Sequence, residues 1–401
     1  MQKIFQTAIV GGGASGLMTA VELCSGKNAF FGGDVLILER NDRVGKKLIA
    51  TGNGQGNLMN QNFGCEFYRG QESFINDFVD AANQINLSDY LYALGIPVCA
   101  YKDGKIYPIS RQASAVLDVI RGYLSFKGCN VQTNAQVIRI IKEKDYYKLF
   151  TEQGEFLAKT VVMATGGAAA KQFGTDGSAY QLAENFGHKK TKLYPSLVQL
   201  KTQTDLIKGL KGLKEVAKVS AYRNKELLCQ STGDLLFTEY GVSGNAVFQV
   251  SAYLTGSSEE YLLIEFLPEL DRGQVVDIIN KKLTMPHINK EDVLCGLINK
   301  KIGQALIKSV QNYSAQAIAS AVKAFKLKIT GNLGFNHAQI TKGGICTDKI
   351  NSKTMESKLS KGFYIVGETL DVDGDCGGYN VTFAFVSGIM AARSIKNQIK
   401  G

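Results

Sequence analysis

The chain has 401 residues, 45% of them hydrophobic, with 46 basic and 36 acidic residues giving a net charge of +10. That is enough apolar material for a large core and for more than one domain. No stretch reaches the roughly 20 consecutive apolar residues of a membrane span. The apolar run nearest the start already belongs to a glycine motif, so neither a signal peptide nor a membrane partner is expected, and a cytoplasmic location is. Eight cysteines stand 30 or more residues apart and the three histidines are dispersed, which excludes zinc-type pairing and leaves no metal site expected. The lysines fall in small scattered groups such as HKKTK (188–192), a distribution that speaks against a nucleic-acid partner despite the positive balance.

In chain order, TAIV reads as a buried strand that runs into Gly11-x-Gly13-x-x-Gly16 and then a helix packed through Leu17, Met18, Val21 and Leu23. Gly11 permits a tight turn, Gly13 lets a pyrophosphate approach the backbone, and Gly16 lets helix and strand lie close. The helix start offers free N–H groups and a positive dipole end to the phosphates. A second strand, DVLILE, ends at Glu39, 23 residues beyond Gly16, where a carboxylate suits a ribose hydroxyl. A dinucleotide site is therefore expected.

The loop that follows, RNDRVGKKLIATGNGQGNLMN (40–60), carries Gly52, Gly54 and Gly56 and can form a second anion nest, which a long buried flavin dinucleotide needs more than a nicotinamide does. VIRII (137–141) and YYKLFTE read as a hairpin, and GEFLAKTVVMATGG (154–167) as a strand closing in a turn. Between 191 and 267 the short runs SLVQLKT, EVAKVSAYR, ELLCQS and YLLIEFLP alternate with period two, as in a small barrel or sheet. From 271 to 326 the spacing turns helical, in DRGQVVDIINKKL, KEDVLCGLIN, KIGQALIKSV and SAQAIASAVKAF. Finally, residues 362–392 read as a strand, an acidic turn, Gly377-Gly378 and a long apolar helix, whose start suits the carbonyls and N1 of a flavin ring.

On these segments, together with GKIYPISRQASAVLDVI (104–120), GDLLFTEYGVSGNAVFQVS (233–251), KTMESKL (353–359) and VGETLDVDGDCGGYN (366–380), the chain resembles the BaiN-like NAD(P)/FAD-dependent oxidoreductases nearly end to end. That family includes aminoacetone oxidases and bile-acid enone reductases. The resemblance implies an α/β fold: a glutathione-reductase-type FAD-binding Rossmann domain from both chain ends (1–190 and 329–401), with a β-barrel-like insert (191–270) and a small helical subdomain (271–328). It places the pyrophosphate at Gly11, Gly13, Ala14, Ser15 and Gly16, the ribose at Glu39 and the adenine edge at Val137. Further FAD contacts fall at Lys47, Gly54, Asn57, Thr165 and Gly166, and Glu368, Asp371, Gly378, Tyr379 and Asn380 border the ribityl chain and flavin. Two positions depart from the family pattern: Gln55-Gly56 stands where Arg-Cys is usual, removing a bidentate donor, and Cys376 stands where a threonine-like residue precedes the glycine pair.

The expected activity is NAD(P)H-driven reduction of an activated C=C bond in a small hydrophobic substrate, by hydride transfer from flavin N5. FAD is the expected cofactor. NADH or NADPH binds only transiently, because the chain has no second Gly-x-Gly-x-x-Gly after a strand. Without a Cys-x-x-Cys near the flavin segments, a disulfide reductase is not expected. Tyr379 is the first candidate proton donor, with Cys376 and Tyr240 as alternatives. Alternative activities are an FAD-dependent amine oxidase using oxygen and, in another class, a tRNA-associated flavoprotein.

Overall fold

A computed structural model of the chain describes residues 2–26, 29–101 and 103–398. The described chain divides into two compact units, one made of residues 1–194 with 340–401 and the other of 195–339.

The first unit is built on a seven-stranded sheet. Strand β1 (Ile4–Val10) lies between β2 (Val35–Leu38) and the long strand Gly154–Met163, parallel to both, and Asn130–Gln132 extends the sheet beyond β2. All four residues of β2 are buried, the continuous apolar run expected of a parallel strand covered on both faces. Strand Gly154–Met163 serves two sub-structures. Its first half pairs antiparallel with Tyr147–Thr151, which pairs in turn with Val137–Lys142, while its end pairs in parallel with Phe363–Ile365. Every strand expected in this unit is present.

Helix α1 (Ala14–Leu23) follows β1 directly and packs on the C-terminal helix Tyr379–Gln398. The two can touch because Gly388 faces α1: a Cβ there would collide with the carbonyl oxygen of Ser15. A buried polar knot closes the same interface. Lys396 Nζ donates to Glu22 Oε1 and to the Glu22 carbonyl, both at 2.7 Å, and the Tyr90 hydroxyl donates to Glu22 Oε2 at 2.9 Å.

The second unit contains a closed six-stranded barrel, and its last strand, Phe325–Asn332, comes after the helices in sequence. Ala217, Val219 and Ala221 point inward against Phe266, Ile264 and Leu262, so the period-two pattern marks the barrel interior. Helices Arg272–Leu283, Lys300–Ser309 and Ala315–Lys323 share a single hydrophobic core with the barrel. A capping box at Asp271 and Gln274 and a Ser314 cap start two of them. The helix expected over 290–299 does not form. A short 3-10 turn (Lys290–Asp292) is followed by irregular chain in which Gly296 has φ 81°, outside the helical region. No helix among the described residues is long and apolar enough to cross a membrane.

Replacing Lys396 by Met leaves the Glu22 carboxylate with the Tyr90 hydroxyl and with Arg393 at 3.4 Å. The expected loss is about 1.5–3 kcal/mol, read as a lower denaturation midpoint, and adding Glu22→Gln should recover at least half of it.

Candidate FAD site

The glycine motif is shaped by collisions that side chains would cause. Gly11 has φ 105°, and a Cβ there would run into the carbonyl of Ala164 at the end of strand Gly154–Met163. A Cβ on Gly16 would overlap the carbonyl oxygen of Gly11. Gly13 differs: it is the N-cap of α1, it has no side-chain cap, and nothing lies within 4 Å of the Cβ it lacks. Open space over uncapped N–H groups at a helix start is a phosphate cradle.

Glu39 is buried directly beside this loop. Its Oε2 accepts from Gly12 N–H at 2.8 Å, and its Oε1 accepts from Asn41 N–H at 2.8 Å and Asn41 Nδ2 at 2.7 Å. An ionised carboxylate has about four acceptor positions, so one remains on Oε2 for a ribose hydroxyl. Ala135 N–H donates to the Glu39 carbonyl and Asn134 N–H to the Asn41 carbonyl, both at 2.8 Å, which brings the chain leading into buried Val137 alongside Glu39.

The second loop meets the C-terminal segment. Asn57 is buried, and neither its amide nitrogen nor its amide oxygen has a hydrogen-bond partner. Across from it stands Gly378 at φ 101°, where a Cβ would collide with Asn57 Oδ1. A buried amide with both ends unsatisfied is costly, and it suits a cofactor edge that offers both donor and acceptor. Asn60 Nδ2 donates to the Gly377 carbonyl at 3.1 Å and Thr382 Oγ1 to the Leu58 carbonyl at 3.1 Å, so the two segments are joined just after Asn57. The residues present fit FAD, with phosphates at the Gly11–Gly16 loop, ribose at Glu39, and ring atoms near Asn57 and Gly378.

Other expected contacts are engaged with one another. Lys47 Nζ pairs with Glu368 Oε2 at 2.6 Å, and Glu368 Oε1 accepts from Thr341 N–H at 2.8 Å. Thr165 Oγ1 lies 3.3 Å from Thr369 Oγ1, and Gly166 has φ 72°. Gly54, at φ 85°, has open space at its missing Cβ. Burial pushes the Asp371 carboxyl up from its ordinary range. Asn380 is occupied within its own turn, accepting from Gly374 N–H and donating to the Gly374 carbonyl, both at 2.8 Å.

The Tyr379 hydroxyl donates to the Asn62 carbonyl at 2.8 Å and its ring stacks on Phe67 with centroids 4.8 Å apart. Burial pushes its pKa well up, and burial likewise raises the Cys376 thiol. Tyr240 is half-buried in the second unit.

Arg69 is a residue the sequence reading missed. Its Nε pairs with Asp373 at 2.7 Å and its Nη1 with Asp375, clamping the acidic turn that precedes Gly377. The acidic turn called for a cation, but the one that answers lies about 300 residues earlier with no local signature.

With this glycine loop, buried carboxylate and unsatisfied buried amide, the chain is an FAD-dependent oxidoreductase built on a Rossmann-type fold. The chain belongs to the HI0933-like protein Rossmann domain family, which it matches over residues 5–394. It is 32% identical over 403 residues to a 3-dehydro-bile acid delta(4,6)-reductase of Clostridium scindens, covering 96% of this chain and 98% of that one. It is 26% identical to a ribosomal RNA dihydrouridine synthase of Haemophilus influenzae, covering 99% and 100%. In fold it resembles the 3-ketosteroid-delta4-(5alpha)-dehydrogenase of Rhodococcus jostii RHA1, with a TM-score of 0.53 at 12% identity over 99% of this chain and 98% of the other.

Two substitutions separate holding the cofactor from holding the fold. Asn57→Leu should weaken FAD binding tenfold or more in a fluorescence titration. The same change should raise the apoprotein's denaturation midpoint, by about 1 kcal/mol, because it removes an unsatisfied buried amide. Tyr379→Phe should cost about 1 kcal/mol of stability and leave turnover within about threefold.

Proposed function

We propose that the protein is a reductase that uses NADH or NADPH to saturate a C=C bond conjugated to a carbonyl in a hydrophobic substrate. The observation that carries this is the full-length similarity to the bile acid delta(4,6)-reductase. In a 3-oxo bile acid, double bonds at positions 4 and 6 are conjugated to the ketone. Dihydrouridine is uridine saturated at a bond conjugated to its C4 carbonyl, so the second relative's name describes the same kind of acceptor. FAD, when bound, supplies hydride transfer between the nicotinamide and that acceptor.

The chain's own residues supply the setting. The Gly11–Gly16 loop and Glu39 anchor the nucleotide end, leaving Asn57 and the Gly377-Gly378 turn to orient the ring by hydrogen bonds. The Arg69 clamp and the Asn60 contact to the Gly377 carbonyl hold that turn rigid, which keeps donor groups where charge develops on the reduced ring. With the Tyr379 hydroxyl committed to Asn62, the proton that follows hydride comes from another group or from water.

A second substrate, uracil in RNA, is favoured by one feature of the barrel. Tyr222 and Tyr261 stack at 5.3 Å on its outer face, and Lys326 lies 4.0 Å from the Tyr261 ring centre. Aromatic rings beside cations are a platform for bases.

An anaerobic titration of the FAD-loaded protein tests the reading. NADH or NADPH should bleach the oxidised flavin band, and adding a steroid dienone should restore it. Restoration by uridine-containing RNA alone would select the second substrate. Bleaching by an amine and by neither nucleotide would replace the reductase with an oxidase.

A further inference from the structure

Beside the second glycine loop stands a cation that the FAD site does not use. Arg111 has φ 49°, a left-handed conformation that residues with a Cβ rarely adopt. Its guanidinium lies over the rings of Tyr101, at 4.5 Å, and Tyr107, at 5.3 Å, and its Nε donates to Gln55 Oε1 at 3.0 Å, with Nη2 donating to the same oxygen. The side chain is therefore held in one orientation although the residue is exposed.

The fixing group is neutral. Gln55 aims the guanidinium without cancelling its charge, and none of the ion pairs among the described residues includes Arg111, whose guanidinium also bonds the Tyr101 side chain. A planar cation aimed by an amide, backed by two rings and lacking a carboxylate is equipped for a planar or tetrahedral oxyanion. Its surroundings add to the positive field: helix Ala113–Phe126 begins two residues on, with no side-chain cap and no acid in its first turn.

The position matters as much as the charge. The Tyr107 ring packs on the second loop, its Cε1 3.2 Å from where a Cβ on Gly52 would stand, and the backbone nitrogen of Asn57 lies 2.9 Å from the same point. The rings that hold Arg111 thus rest on the loop that carries the unsatisfied Asn57 amide. We propose that Arg111 binds an anionic group, phosphate or carboxylate, of the molecule that reacts at the flavin. This rests on the reductase reading for the identity of that molecule, while the anion site itself does not.

The test is equilibrium binding to the FAD-loaded protein by calorimetry, which needs no turnover. The probes are adenosine 2′,5′-bisphosphate, ADP, and a steroid carboxylate with its methyl ester, each against wild type, Arg111→Gln and Arg111→Lys. Arg111→Gln should weaken at least one anion tenfold or more, Arg111→Lys should recover part of that loss, and the methyl ester should be unaffected. Loss confined to the bisphosphate identifies a nucleotide 2′-phosphate, loss of both nucleotides the 5′-phosphate they share, and loss of the steroid acid alone a substrate carboxylate. Binding of every anion within twofold in wild type and Arg111→Gln, or no binding to wild type, overturns the proposal. If an anion responds to Arg111 but neither nicotinamide bleaches the flavin, the site stands and the reductase reading falls.

Discussion

The structure depends on how closely three backbones approach around Gly11. The carbonyl of Ala164 lies where a side chain on Gly11 would go, and the carbonyl of Gly11 lies where one on Gly16 would go. Strand β1, strand Gly154–Met163 and helix α1 therefore meet at van der Waals contact, with the Ile9 and Ala164 side chains against Gly16. A methyl group at either glycine would push α1 away from the sheet, and with it the N–H groups that face the open space at Gly13. The same helix is pressed from its other side by Gly388 of the C-terminal helix. Position is thus set by backbone sterics from both sides, with the Glu22 and Lys396 pair fixing the register along the interface.

Polar groups in this unit divide by whether the protein satisfies them. Arg69 answers Asp373 and Asp375, Lys47 answers Glu368, and Asn380 answers its own turn. These groups stiffen the walls. Asn57 has no partner at either end of its amide, and Glu39 retains one acceptor position. A fold leaves buried polar groups unmatched at a cost; the Asn57 amide beside the Gly377-Gly378 turn is one such group, and the Tyr180 hydroxyl and His188 Nδ1 are others in the same unit.

Much of this was legible in the sequence because it is local. A strand, three spaced glycines and an apolar helix are consecutive, and Glu39 follows at a spacing set by one β-α-β unit. The barrel interior was legible from alternation in segments such as EVAKVSAYR. What was not legible depends on long-range partners. Asn57 and Gly378 are distant in the chain, so nothing local shows that one faces the other. Tyr379 follows the glycine pair in sequence, but its partners Asn62 and Phe67 arrive from another segment. In KEDVLCGLIN the apolar spacing fits a helix, and the left-handed turn at Gly296 overrides it.

The departure at Gln55 gains a physical meaning from its partner. In sequence, replacing an arginine with Gln55 reads as the loss of a bidentate donor. In the structure the loop acquires a guanidinium from elsewhere, Arg111, and Gln55 supplies the acceptor that aims it. An arginine at position 55 would face Arg111 as a like charge, so the two positions are coupled and neither can be interpreted alone. The guanidinium beside the loop comes from the segment that carries Tyr101 and Tyr107, where the rings restrict its orientation and the neutral amide leaves its charge available.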